Sequence, residues 1–523
     1  MKIWVLFRQN SGDTVTVSYS CDRNKRTKIP RPLKPNLFND VPIIASHGQY
    51  HAIFRPGKIV DRELMAAKQQ KHRSIWVKSP NQIFGIDSKK KPVGGLVLRD
   101  GKVAQILLPG ESITTAVDEV IDARGLVVLP GLINTHHHFY QSLTRSMRDA
   151  INRPLFPWLS TLYPVWAEQS AADIEIATRL VLAELLLSGC TTTTDHHYLF
   201  SANCTDPLDV QFQVAAEMGV RVILTRGSMS LGEDQGGLPP QTVVQGEADV
   251  LADCERLIAR WHDPLPHAMN QVALAPCSPF SVTPALLRDS ATLANRHNVG
   301  LHTHLAETEQ ETEYCLTKFG SRPLDHLEQN GWLNERTWFA HGVHFNSDEM
   351  QRISSAKAGI AHCPSSNMLL GSGLCRVDEL RKAGVAVGVG VDGSASNDHS
   401  NLIQELRQAY LLQRMINPDY SHKETLALAT SGGAAILHRP ELGHLNVGAA
   451  ADIAMFSTND LRFSGAQDPL AAIIISGAHT AYHVLVGGRW RVRKGELVDV
   501  DADQLMQRHG DAAKALWQRA GIS

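Results

Sequence analysis

Val127-Val128-Leu129-Pro130-Gly131-Leu132-Ile133-Asn134, running into Thr135-His136-His137-His138-Phe139-Tyr140, is the stretch that decides how the chain is read. Its approach is apolar and β-branched, with Pro130-Gly131 at the entry, and reads as a buried strand. Side chains alternate faces along a strand, so His136 and His138 point one way and His137 the other. Two imidazoles on one face at the C-terminal end of a strand can grip a single metal ion. Taken alone, such a pair suits solvated or hydrogen-bonded core histidines equally well. The pattern downstream separates the two readings.

From Gly131 to about Arg439, strand candidates alternate with helical stretches such as Val181-Leu182-Ala183-Glu184-Leu185-Leu186-Leu187. The strands after the opening one are Cys190 to Asp195, Arg221 to Thr225, Gln271 to Ala275, Val299 to His304, Thr337 to His341, Gly359 to His362 and Val385 to Val391. With the opening strand that makes eight, and strands alternating with helices imply parallel βα units. The expected fold is α/β, a (β/α)8 barrel over residues 131–440. Chemistry-bearing residues collect where such a barrel builds its site, at the C-terminal strand ends. His136 and His138 end the first strand, His304 the fifth, followed by Leu305-Ala306-Glu307. His341 ends the sixth and Asp392 the eighth. Five ligand-type residues at matching ends of four strands point to a metal centre.

Outside the barrel the texture changes. Ser74-Ile75-Trp76-Val77, then Gly95-Leu96-Val97-Leu98 and Lys102 to Leu107 around Asp100-Gly101, form strands with a hairpin signal. Similar runs return at Asp452 to Phe456, Val484-Leu485-Val486 and Trp490-Arg491-Val492. A small β-sandwich built from both ends is expected, from residues 73–130 and 441–500, followed by a C-terminal helix over 501–523. Residues 1–64 show no convincing strand or helix. Arg23 to Lys28 is basic and Pro30, Pro32 and Pro35 interrupt any period, so the segment is expected to be a disordered extension. A docking extension, or a biological start at Met65, are the other readings of that segment.

Lys+Arg 51 against Asp+Glu 53 nearly cancel, so no footprint for nucleic acid is present. No apolar run approaches the ~18 residues of a membrane span. Eight scattered cysteines without a C-x-x-C pair fit reduced thiols in the cytoplasm.

Several stretches together carry a family resemblance. They are Asn134 to Gln141, Ser188-Gly189-Cys190-Thr191-Thr192, Asp195-His196-His197-Tyr198-Leu199-Phe200, Ala275-Pro276-Cys277-Ser278-Pro279-Phe280, His362-Cys363-Pro364-Ser365-Ser366-Asn367 and Asp392 to Asp398. On these the chain, from about Ser74 to its end, resembles the amidohydrolase superfamily and its aminohydrolases of purines, pyrimidines and triazines. The resemblance implies His136, His138, His304 and Asp392 as ligands of one divalent metal, zinc or alternatively iron, with a position left open for water. It implies a mononuclear site, because binuclear relatives use a bridging lysine where this chain has Ala275-Pro276-Cys277. Asp392 would take a proton from the water, Glu307 would protonate a ring nitrogen, and His341 would orient the nucleophile. The motifs are most similar to those of enzymes that turn 8-oxoguanine into urate and ammonia. Guanine, isocytosine and hydroxytriazine (hydroxyatrazine-like) substrates remain alternatives, as does a non-catalytic scaffold. The resemblance also implies a homo-oligomer acting on a small molecule.

Candidates for holding the substrate are Gln141, Trp158, His197, Arg226, Cys277 and Glu307, with Tyr198 weaker. Gln141 could bond a purine edge or simply backbone. Arg226 could bind a carbonyl or make a salt bridge. Trp158, in Pro154 to Leu159, could sit in a lid or only pack. In many relatives the fourth strand ends Pro-His-Ser-Pro with that His on the substrate, and Cys277 takes its place here. His137, His302 and His344 read as structural. A cytidine-deaminase-type zinc site does not fit, since Pro276-Cys277 lacks the second cysteine of P-C-x-x-C.

Overall fold

In a computed structural model, residues 6–10, 14–18, 43–46, 49–54, 73–87, 93–204 and 206–522 are described. Eight parallel strands close a barrel in chain order. They are β1 (Leu132–Asn134), β2 (Cys190–His197), β3 (Arg221–Ser228), β4 (Asn270–Pro276), β5 (Gly300–Leu305), β6 (Thr337–His341), β7 (Gly359–His362) and β8 (Ala386–Val389). Asn134 opposite Val389 joins the last strand to the first. The expected barrel is therefore present, strand for strand.

Local chemistry explains the alternation. The helix Glu247–Trp261 buries Val250, Cys254, Leu257 and Ile258, one face at helical spacing. The helix Ala171–Leu187 starts at a reciprocal Ser170–Asp173 capping box. A barrel strand is covered inside by other strands' side chains and outside by helices, so all eight residues of β2 are buried despite its threonines.

The opening stretch differs from the expectation in one respect. It is not one strand. Leu126–Pro130 pairs antiparallel with Ile453–Ser457, and the barrel begins only at Leu132. Pro130-Gly131 is the point where the chain passes from one layer to the other. Gly131 is required there, because a Cβ would lie 2.1 Å from Thr191 Oγ1. His136 and His138 lie beyond β1, in chain kept extended by Thr135 N donating to Val389 O at 3.0 Å.

Two further sheets flank the barrel. One orders Lys102–Leu107, Gly95–Arg99, Ile75–Lys78 and Glu119–Asp122. Its Asp100-Gly101 turn has both residues at positive φ, 50° and 74°, as a tight hairpin requires. The other combines Gln82–Ile83 and Leu126–Pro130 with Ile453–Ser457, His483–Val486, Arg489–Arg493 and Glu496–Leu497 from the far end of the chain. Ile75, Val77, Leu96, Val128, Met455 and Leu485 share one core between them. Arg221, at the start of β3, clamps Asp452 with Nε–Oδ2 and Nη2–Oδ1 contacts of 3.0 and 3.1 Å, both side chains buried. The last helix, Ala502–Arg519, reaches back to the turn that follows His138, where Trp517 Nε1 donates to Leu143 O at 2.9 Å.

Residues up to Lys71 form a separate unit. Four strands, Leu6–Asn10, Thr14–Ser18, Ile43–Ser46 and Gln49–Phe54, pair antiparallel there, which corrects the expectation of no regular structure. The β-branched run Thr14-Val15-Thr16-Val17 carried that signal, and the prolines fall between the second and third of these strands. The expected disorder of the rest of this segment lies outside the described residues. Among the described residues seven cysteines are all free and buried, and no helix is long and apolar enough to cross a membrane.

Candidate active site

The chain leaving β1, the ends of β5 and β6, and the loop after β8 bring four histidines and two carboxylates together. His136 Nε2 and His138 Nε2 each lie 3.3 Å from Asp392 Oδ1. His138 Nε2 is 3.1 Å from His304 Nε2. His341 Nε2 lies 3.9 Å from Asp392 Oδ2 and 3.5 Å from Glu307 Oε2. Three non-glycine residues here sit in the left-handed region, Ala306 at φ 53°, His341 at 74° and Asp392 at 63°. Such backbone costs on the order of 1–3 kcal/mol per residue and persists only where surroundings impose it.

The hydrogen bonds behind the cluster fix its tautomers. His138 Nδ1 donates to His196 O at 2.7 Å, and His304 Nδ1 to Cys277 O at 2.6 Å. His302 Nδ1 donates to Trp338 O at 2.8 Å, leaving its Nε2 to accept from His136 Nδ1 at 2.8 Å. All three Nε2 lone pairs therefore turn inward, and His136 Nε2 is buried without a hydrogen-bond partner. Burial holds His136 and His304 far below the usual imidazole range, so both are neutral. The Asp392 carboxyl, despite its burial among these rings, is held well below the usual carboxylate range and is ionised. Inward lone pairs beside an ionised carboxylate repel one another unless a cation sits between them. Separations of 3.1 and 3.3 Å match the edges of a tetrahedron around an ion with bonds of about 2.0–2.1 Å. The donor set suits a divalent metal.

Glu307 is the opposite case. Burial first, and the charge of Asp392 second, push its carboxyl up to about 8. One site thus holds an ionised carboxylate and a protonated one near neutral pH, the separation of roles that acid–base chemistry uses. Buried carboxylates further out hold main-chain amides. Asp195, pushed by burial to about 7, accepts from Phe139 N at 2.6 Å and Gln211 Nε2 at 2.8 Å. Glu405 accepts from Ser365 N at 2.8 Å and Asn397 Nδ2 at 3.0 Å. His341 Nδ1 is held 2.9 Å from Asn367 Oδ1.

A cavity opens against this cluster. Gln141, Trp158, Cys277 and Glu307 line it together with His138, His304, His341, Asp392 and Tyr198. Two expected substrate residues do not reach it. Arg226 turns to the outside of β3, where it donates to Asp253 Oδ2 at 2.8 Å and Gln245 Oε1 at 3.0 Å and stacks on Phe200. His197 is pressed between the rings of Tyr140 and Phe200, and burial, with the Arg226 charge, pushes it down to about 3. Strand alternation gives the inward position to His196 instead, whose ring stacks on His304 at 4.6 Å and joins the imidazole cluster. Sequence reading missed His196. It also missed Leu155, Leu159 and Tyr163, which line the cavity with Trp158 from one face of the helix Leu155–Trp166. Their i, i+3, i+4, i+8 spacing is the signal that could have found them.

The amidohydrolase family model matches residues 127–491, which is more than half of the chain. The chain belongs to the amidohydrolase family. Among curated amidohydrolase relatives, 8-oxoguanine deaminase of Pseudomonas aeruginosa is 52% identical over 84% of this chain and 98% of its own length. Hydroxydechloroatrazine ethylaminohydrolase of Pseudomonas sp. (strain ADP) is 39% identical over 74% of this chain and 82% of its own. Atrazine chlorohydrolase from Arthrobacter aurescens TC1, solved with zinc, superimposes with a TM-score of 0.80 at 30% identity, covering 84% of this amidohydrolase and 100% of that chain.

Proposed function

We propose that this amidohydrolase is a hydrolytic deaminase of an oxidised purine, converting 8-oxoguanine and water to urate and ammonia. The observation that carries the chemistry is geometric: Asp392, within 3.3 Å of His136 and His138, and Glu307, 3.5 Å from His341, share one cavity wall. His136, His138, His304 and Asp392 would hold one divalent ion, zinc in this reading, which supplies Lewis-acid activation of a water. Asp392 takes a proton from the attacking water. His341 orients that water through Nε2 while Asn367 fixes the other side of its ring. Glu307 delivers its proton to the ring nitrogen beside the carbon under attack, and Asp392 passes the proton it took from the water to the amine, which leaves as ammonia. Gln141, Trp158 and Cys277 border the space the ring would fill.

The substrate reading is supported by the P. aeruginosa deaminase, to which this chain is similar over nearly that protein's whole length. A hydroxytriazine is the second reading, favoured by the strain ADP aminohydrolase. A non-catalytic role is disfavoured by the complete ligand set. The seven buried free thiols among the described residues support a reducing, cytoplasmic setting. The family resemblance supports a homo-oligomer. Ammonia release across 8-oxoguanine, guanine, isocytosine and hydroxyatrazine tests the proposal. Highest kcat/KM on 8-oxoguanine is expected, and a hydroxytriazine outrunning both purines overturns the substrate.

A further inference from the structure

Glu311 is fully buried, yet it touches neither the cavity nor the imidazole cluster. It is the third residue of the helix Glu309–Phe319, whose N-cap Thr308 accepts from Glu311 N through Oγ at 3.2 Å. That much is ordinary capping. In a reciprocal capping box the acidic side chain returns to the N-cap's own amide. Three other helices among the described residues do so, with Ser170 N donating to Asp173 at 2.7 Å, Asn346 N to Glu349 at 2.7 Å and Ser421 N to Glu424 at 2.8 Å. Glu311 reaches past its N-cap instead. Its Oε1 accepts from Ala306 N at 3.0 Å and its Oε2 from Glu307 N at 2.8 Å.

Those two amides flank a left-handed alanine, Ala306 at φ 53°. The same residue's carbonyl accepts from Val343 N at 2.8 Å and His344 N at 2.9 Å, in the loop that follows His341. The turn carrying Glu307 is thus pinned on one side by Glu311 and on the other by the His341 loop. Without the carboxylate, two buried amides lose their acceptor and the left-handed turn loses what imposes it. Proton delivery to a ring nitrogen depends on placement within a fraction of an ångström.

We propose that Glu311 is a positioning residue for proton transfer, acting through the Ala306-Glu307 main chain to aim the Glu307 carboxyl. The inference rests on the proton-donor role given to Glu307 above. The near-isosteric Glu311→Gln keeps one acceptor oxygen for two amides, and Glu311→Leu keeps none. Both are expected to retain metal, to hold KM within about threefold, and to lose kcat by at least about tenfold, leucine the more. In a Glu307→Gln background the same changes should cost nothing further, because coupled residues are not additive. Thr308→Ala weakens the same helix end without touching the clamp, and should keep wild-type kcat. Hydrogen exchange of the peptide spanning Leu305 to Thr308 supplies a readout independent of substrate, and should quicken in the Glu311 variants but not in Thr308→Ala. Unchanged kcat in Glu311→Gln, a full additional loss in the Glu307→Gln background, or unchanged exchange overturns the proposal. A wild-type protein inactive on every purine and triazine, with exchange behaving as expected, would instead remove the assigned reaction.

Discussion

Replacing Glu307 with glutamine should make the protein slower and, without metal, more stable at alkaline pH. The substitution keeps size and burial and removes only the ionisable proton. If Glu307 carries a proton to the ring, its loss should cost about 10²- to 10⁴-fold in kcat. That is roughly 3–5 kcal/mol of barrier. The stability argument runs through its displaced pKa. A free glutamate ionises near 4.5, whereas burial and the Asp392 charge push this one to about 8. Below pH 4.5 the carboxyl is neutral in both folded and unfolded chains, and it takes nothing from stability. Between 4.5 and 8 the unfolded chain ionises while the folded one resists, so wild-type stability falls as pH rises. At about 1.4 kcal/mol per pH unit the ceiling is roughly 5 kcal/mol, reached near pH 8. Glutamine has no such slope. Calorimetry of the metal-stripped wild type and Glu307→Gln at pH 5 and pH 8, beside kcat at pH 7, measures both effects. The variant should draw ahead in Tm as pH rises. A gap that stays constant with pH, or turnover within threefold of wild type, refutes the reasoning.

Four further outcomes are expected. His304→Ala should lose metal and activity together, checked by elemental analysis; full occupancy in that variant would remove His304 from the ligand set. Cys277→His should narrow the preference for 8-oxoguanine over guanine, which mismatched buried polar groups set on the order of a hundredfold; equal ratios before and after would take Cys277 out of specificity. Arg221→Met should destabilise by about 3–5 kcal/mol, because it leaves Asp452 buried beside an apolar side chain. Thermal denaturation showing under 1 kcal/mol would mean that the clamp contributes little. A chain begun at Met65 should match the full one in Tm and turnover, since the barrel and its flanking sheets belong to the unit from His72 onward. A large loss on either measure would show that the upstream sheet supports the enzyme.

Much of this protein is written in short-range patterns. Each barrel strand is a local run of apolar or β-branched residues, so the eight strands could be read without coordinates, and so could the ligand-type residues that follow them. What lies more than a few residues away could not. Pro130-Gly131 looked like the entry to one strand, but partners in Ile453–Ser457 and Thr191 make it a crossing between two layers. Arg226 and His197 had the right chemistry and the wrong side of their strands. Their fate was set by Asp253, Gln245 and the Tyr140 and Phe200 rings, brought in from elsewhere in the sequence. His196, one residue earlier, faces the cluster.

Protonation was the least legible property. Nothing adjacent to Glu307 or Asp392 distinguishes two acidic side chains that end up with opposite charge states. Desolvation and the imidazoles gathered by the closed barrel separate them, and both act through space. Residue type and periodicity, being local, determined the fold class and the inventory of reactive groups. The tertiary structure alone decided which of those groups meet, which tautomers they adopt and which carries the proton, because burial and charge depend on neighbours that only folding supplies.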